Sequence, residues 1–189
     1  MLLLTCEFKL SNGSYFSHIV ESSCVSVTSI GDNDLNRNLQ DLYECGLLSD
    51  VTVVADSRRF SVHKFILCSQ SSVFTRMFQT EMIESRTNQV EISDVDPHII
   101  HEMLLFLYTG NLGTLCEESA MQLYTAADKY DVDALKKKCS SFLKSNITEE
   151  NVRKILQLAE MHSDDDLYQT IQLEFFSAHA EECAQTIDN

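Results

Sequence analysis

The segment Val51-Thr52-Val53-Val54-Ala55 alternates in character, turns at Asp56 and Ser57, and is answered by Phe60-Ser61-Val62, the pattern of a β-hairpin. Nearly everything downstream carries helical periodicity instead. A two-stranded hairpin is marginal in water and needs a third strand or a helical cover. Val90-Glu91-Ile92 supplies one more short strand. The expected fold class is therefore α+β, a helical cluster flanked by a short three-stranded sheet.

The helices have marked starts and stops. Asp34 can cap a first helix in which Leu35, Leu39 and Leu42 recur on one face, and Gly46 is a natural stop. Two short helices follow, near His63 to Cys68 and from Ser71 or Ser72 to Phe78, with Phe74, Met77 and Phe78 inward. Asp96 and Pro97 start a helix that buries Ile100, Met103, Leu104 and Leu107 and ends by Gly110. Further helices are expected over Cys116 to Lys129, Asp131 to Leu143, Thr148 to Glu160 and Ser163 to His179. Thr148 caps the third of these, and Ser163 with Asp166 forms a capping box for the fourth.

Between the early helices and the third strand, Thr80 to Gln89 is polar and charged, yet it holds Met82 and Ile83 among Glu81, Glu84 and Arg86. Apolar groups in a polar loop either fold back onto their own body or wait for a partner. The leucine face of the first helix is equally open, to a core or to a dimer interface.

Composition narrows the function. The 189 residues carry a formal net charge of −15 and 44% hydrophobic residues, enough for a core but repelled by phosphate backbones and anionic lipid, so neither nucleic acid nor membrane is an expected partner. No apolar run approaches the roughly 20 residues of a transmembrane helix. Met1 to Leu4 is cut off by Glu7 and Lys9 before it reaches signal-peptide length. The seven cysteines, Cys6, Cys24, Cys45, Cys68, Cys116, Cys139 and Cys183, are scattered and never paired as Cys-x-x-Cys. They read as reduced thiols, mostly core fillers, in an intracellular protein of the nucleus or cytoplasm.

No catalytic pattern emerges. There is no Gly-rich phosphate loop and no Gly-x-Ser-x-Gly elbow. His101 and Glu102 begin a His-Glu-x-x-His pattern, but Leu105 stands where the second histidine should be. His98 and His101 share a helix without a third ligand, so they read as surface histidines. Lys136 to Lys138 lie close to Asp128, Asp131 and Asp133 and read as a solvated helix face. No enzyme, cofactor or metal is expected.

Asp50-Val51-Thr52-Val53 followed by Phe60-Ser61-Val62-His63-Lys64-Phe65-Ile66-Leu67 resembles the BTB/POZ family. The resemblance continues in order through Ser71-Ser72-Val73-Phe74, Met77-Phe78, Val90-Glu91-Ile92, Leu105-Phe106-Leu107-Tyr108-Thr109-Gly110 and Ala126-Ala127-Asp128-Lys129-Tyr130. It is strongest toward the MATH-BTB branch, the speckle-type POZ and TD-and-POZ proteins.

That resemblance implies a BTB/POZ domain over residues 34–143, preceded by a MATH-domain remnant plus linker over 1–33 and followed by a helical 3-box extension over 144–189. It implies no catalytic residues. Met82, Ile83 and Glu84, with Tyr130 as a weaker candidate, would grip cullin-3. Leu35, Leu39, Leu42 and Ile66 would pack across the two-fold axis of a homodimer, or of a dimer with a related BTB protein. The implied function is a non-catalytic dimeric adaptor of a cullin-RING ubiquitin ligase, supporting substrate ubiquitination and proteasomal degradation. Leu3 to Glu7 resembles only the closing strand of a MATH domain, so substrates are expected only where such a domain is supplied. The alternative is a transcriptional or cytoskeletal BTB scaffold that does not bind cullin.

Overall fold

In a computed structural model that describes residues 32–173, the hairpin forms with Val51 opposite Val62 and Ala55 opposite Arg58. Its strands are β1 (Val51–Ala55) and β2 (Arg58–Val62). Val51, Val53 and Ala55 point inward, as the period of two requires. Asp56 takes a left-handed backbone, φ 49°, which suits an Asp at a tight turn. The return strand begins two residues earlier than Phe60, because Arg58 and Arg59 extend the ladder with their side chains in solvent.

The third strand, β3 (Gln89–Ile92), pairs with β1 in parallel, Thr52 against Gln89 through Ala55 against Ile92, giving the order β2-β1-β3. A parallel neighbour requires a crossover. Here the crossover is α2 (Lys64–Gln70), α3 (Ser72–Gln79) and a short α4 (Ile83–Thr87). The predicted surface loop over residues 80–89 thus contains a helical turn.

Around this sheet stand α1 (Asp32–Cys45), α5 (Pro97–Thr109), α6 (Glu117–Lys129), α7 (Asp133–Ser145) and α8 (Val152–Met161). A further helical run, α9, covers residues 165–173, where the described residues end. The central element is α5, which buries Ile99, Ile100, Met103, Leu104, Phe106, Leu107 and Tyr108, nearly its whole circumference. A helix apolar all round belongs in the middle of a core. Its ends follow the sequence: Asp96 accepts the His98 amide at 2.7 Å, Pro97 opens the helix, and Gly110 closes it at φ 67°.

Several boundaries differ from expectation for local reasons. α1 begins at Asp32, ahead of the expected Asp34 cap. Asp131 has a left-handed backbone, φ 54°, so α7 starts only at Asp133. Thr148 caps a turn rather than α8: its Oγ1 accepts from the Asn151 amide at 3.3 Å, and α8 starts at Val152. Ser163 does not cap the last helix. It sits at φ 50°, and Asp164 accepts the Leu167 amide at 3.0 Å instead.

Of the cysteines within the described residues, only Cys139 fills the core. Cys45 and Cys116 are exposed and Cys68 is half-buried, correcting the core-filler expectation. Burial pushes the Cys139 thiol up to about 12, while hydrogen bonding with the Ser119 side chain and from the Ser119 backbone amide lowers that of Cys116 at the head of α6. The remnant and linker expected over 1–33 with Leu3 to Glu7, Cys6, Cys24, Cys183 and the last helix beyond 173 lie outside the described residues, save for the start of α1. Among the described residues no helix is long and apolar enough to cross a membrane.

Candidate functional site

Two exposed apolar surfaces are available for contact. The first is the segment at α4. Met82 is its N-cap residue, in extended backbone, and is 47% exposed; Ile83, the first helical residue, is 70% exposed. Glu84 is half-buried in the first turn, where the helix dipole favours a negative charge.

The segment is held firmly even though its apolar tips are free. Ser85 Oγ donates to the Met82 carbonyl at 2.8 Å and Thr87 Oγ1 to that of Ile83 at 2.9 Å. Asn88 closes the turn in left-handed backbone, and its carbonyl accepts the Thr52 amide of β1 at 3.0 Å. Lys64 donates to the Asn88 side chain and stands 5.3 Å from the Phe78 ring centroid. A turn braced by its own side chains and tied to the sheet at Asn88 loses little further entropy when a partner covers Met82 and Ile83.

Tyr130 does not join this surface. It is 2% exposed and stacks on Phe74 with ring centroids 5.0 Å apart and planes 9° apart, and its burial raises the phenol's pKa. Its expected role as a surface contact is corrected: Tyr130 props α3 from inside.

The second surface is the outer face of α1. Leu35 is 59% exposed, and Leu39 and Leu42 are half-buried. The buried centre of the helix is Tyr43 rather than the leucines. At about 100° per residue, Tyr43 lies roughly 80° around the helix from Leu35. The leucine stripe is thus a shoulder, half on the core and half in solvent. Ile66 of α2 is likewise half-buried, and its neighbour Phe65 is 79% exposed.

Leu47 and Leu48, in the connection after α1, are also exposed, and Leu48 holds a left-handed backbone, φ 61°. Such a conformation costs a residue with a Cβ about 1–2 kcal/mol. It is held by Ser49 N donating to the Gly46 carbonyl at 3.1 Å and by the His63 ring reaching the Leu47 carbonyl at 2.8 Å. A carbonyl only accepts, so His63 Nε2 carries the proton and Nδ1 accepts from the Tyr108 hydroxyl at 2.7 Å. Phe65, Leu47 and Leu48 escape sequence reading because periodicity finds apolar stripes without saying which side of the stripe is covered.

His101 is not the free surface histidine expected. Its Nδ1 lies 2.8 Å from the Tyr43 hydroxyl, its ring stacks between Tyr43 and Phe60, and burial lowers its pKa. His98 is exposed, and among the described residues no cluster of three His, Cys, Asp or Glu side chains is placed to hold a metal ion.

The helical extension is tied to the body through Asp128. Its carboxylate receives Lys136 Nζ at 2.6 Å and His162 Nδ1 at 2.7 Å. Burial works against the charged carboxylate, but these two partners outweigh it and hold the Asp128 pKa low. The other ring nitrogen of His162 is buried beneath Tyr124 and has no hydrogen-bond partner among the described residues, while the Tyr124 hydroxyl donates to Asp164 at 2.5 Å. A ring protonated at Nδ1 alone leaves only a bare lone pair there, the less costly orphan. Lys136 is therefore an anchor rather than a solvated charge, and Lys138 too is engaged, donating to the Gly110 carbonyl at 2.7 Å.

Against known families, residues 39–147 match the model of the BTB/POZ domain.

Proposed function

The chain belongs to the BTB/POZ family, a family of protein-interaction domains, and on that premise we propose that it is a dimeric, non-catalytic adaptor of a cullin-3 ubiquitin ligase. Two copies pair through Leu35, Leu39, Leu42 and Ile66, and each offers Met82, Ile83 and Glu84 to the amino-terminal region of cullin-3. The helices after residue 147 extend the same contact as a 3-box. Transfer of ubiquitin belongs to other subunits, and substrate is recruited only where a MATH domain is supplied.

The observation that carries this reading is the α4 segment: two apolar side chains in solvent on a turn tied to the sheet at Asn88. A loop without a partner would save solvation free energy by turning those groups inward. A scaffold that does not bind cullin needs the α1 shoulder but has no use for Met82 and Ile83.

The test is a pull-down of the cullin-3 amino-terminal region by the wild-type chain and by Glu84→Lys. Reversing the charge beside the apolar pair abolishes capture on this reading. Equal capture by both proteins overturns it and leaves the scaffold.

A further inference from the structure

The α4 turn is held by a side chain that neither the dimer nor the cullin contact uses. Lys64 opens α2, yet its ammonium reaches the far end of α4. On the cullin-3 reading of that turn, we infer that Lys64 is a positioning residue: through Asn88 it fixes where Met82 and Ile83 are presented.

Lys64 can do this because its other contacts are fixed. Its backbone amide donates to Asp50 Oδ1 at 2.8 Å, which ties the start of α2 to the residue before β1. Its ammonium stands 5.3 Å from the ring centroid of Phe78, whose π face attracts a cation. Phe78 in turn stacks on Phe74 with centroids 6.4 Å apart, and Phe74 on the buried Tyr130. Among the described residues no carboxylate pairs with this ammonium, and its hydrogen bond goes to the side-chain oxygen of Asn88.

Asn88 is where this hold acts on the turn. Its amide donates to the Glu84 carbonyl at 2.9 Å, its carbonyl accepts the Thr52 amide at 3.0 Å, and its side chain accepts from Lys64. The residue keeps a left-handed backbone, φ 53°, which costs a residue with a Cβ. Asn88 is exposed, so hydrogen bonds rather than packing hold it in that conformation. Two of the three belong to backbone groups, the last turn of α4 and the first rung between β3 and β1. The third, from Lys64, is the one a single side chain can withdraw.

A five-residue helix with no buried residue, joined to the end of a sheet, opens at little cost in free energy. Withdrawing one charge-assisted bond therefore shifts an appreciable share of chains to an opened turn. Those chains do not offer Met82 and Ile83 in place, and the apparent affinity for a partner falls with the fraction that does.

The experiment measures amide hydrogen exchange by NMR on the full chain without a partner, and then the Kd for the cullin-3 amino-terminal region. Lys64→Met keeps a long apolar stem and removes the charge. It should speed exchange of the Thr52 and Asn88 amides roughly five- to tenfold, the scale of a charge-assisted hydrogen bond at a partly exposed site. The amides joining β1 to β2 keep their rates, and Lys64→Arg, which retains charge and donors, restores most of the protection. Asn88→Gly keeps the left-handed backbone and removes the acceptor, so adding Lys64→Met to it brings no further acceleration. The Kd rises roughly two- to threefold in Lys64→Met and recovers in Lys64→Arg. Unchanged exchange at Thr52 and Asn88, acceleration equal across β1 and β2, or an unchanged Kd in Lys64→Met where Glu84→Lys abolishes binding overturns the inference. Local acceleration rescued by Arg, with no variant or wild type binding cullin-3, overturns the cullin reading and leaves the hold of Lys64 on α4 standing.

Discussion

Replacing Met82 and Ile83 together by Ala isolates the α4 contact from the fold. Fully burying a Met or Ile side chain stabilises by about 1.5–3 kcal/mol. With Met82 47% exposed and Ile83 70% exposed, a partner can still gain a half to two-thirds of that at each, less the Cβ that Ala retains. The pair is then worth about 2 kcal/mol, which weakens the Kd for the cullin-3 amino-terminal region roughly 30-fold. Folding should hardly change, because neither residue is in the core and Ala favours the α4 helix. Titration calorimetry reads the affinity and a thermal melt provides the control. A Kd within about threefold of wild type, with the melt unchanged, would refute the assignment of α4 as the contact.

Three further outcomes follow from the same geometry. Tyr130→Ala removes a buried stacking partner of Phe74 and should cost about 3–5 kcal/mol in urea denaturation, whereas Tyr130→Phe keeps the stack and should be nearly neutral. Leu35→Asp with Leu39→Asp puts charge on the α1 shoulder and should convert the proposed dimer to monomer in light scattering; an unchanged dimer mass would move the interface elsewhere. Asp128→Asn removes the charged acceptor of Lys136 and His162 and, with the carboxylate one-third exposed, should cost about 1–2 kcal/mol at pH 7. Because the folded-state pKa of Asp128 is lowered, that contribution is full above the ordinary aspartate range and fades as pH falls below about 4. A wild-type-to-mutant difference that stays constant into acid would contradict this linkage.

Strong local signals carried most of the architecture. The alternation of Val51 to Ala55, the Asp96-Pro97 start and the Gly110 stop each specify a conformation within a few residues, and all three appear as expected. Starts that depended on choosing between neighbouring cap residues came out differently. Thr148 and Ser163 gave way to turns in which Asn151 and Asp164 took the helix ends, because cap choice depends on tertiary partners such as Tyr124. The apolar positions of the α4 segment and the leucine stripe could be named from sequence, but their exposure could not. Nor could the burial of Tyr130, since an aromatic at a helix end looks the same whether it meets solvent or Phe74.

The parallel pairing of β1 with β3 also has a consequence in time. β1 can close on β2 as soon as the chain reaches Val62, but its other edge must wait for Gln89 to arrive across α2, α3 and α4. Pairings between distant residues form slowly, because chain entropy is lost before any contact repays it. The turn bearing Met82 and Ile83 takes its place only when Asn88 docks on Thr52, at this late closure. A chain in which Asn88 has not docked on Thr52 therefore lacks the tie that holds the α4 turn to the sheet. On the proposed function, capture of cullin-3 then reports that the sheet has been finished.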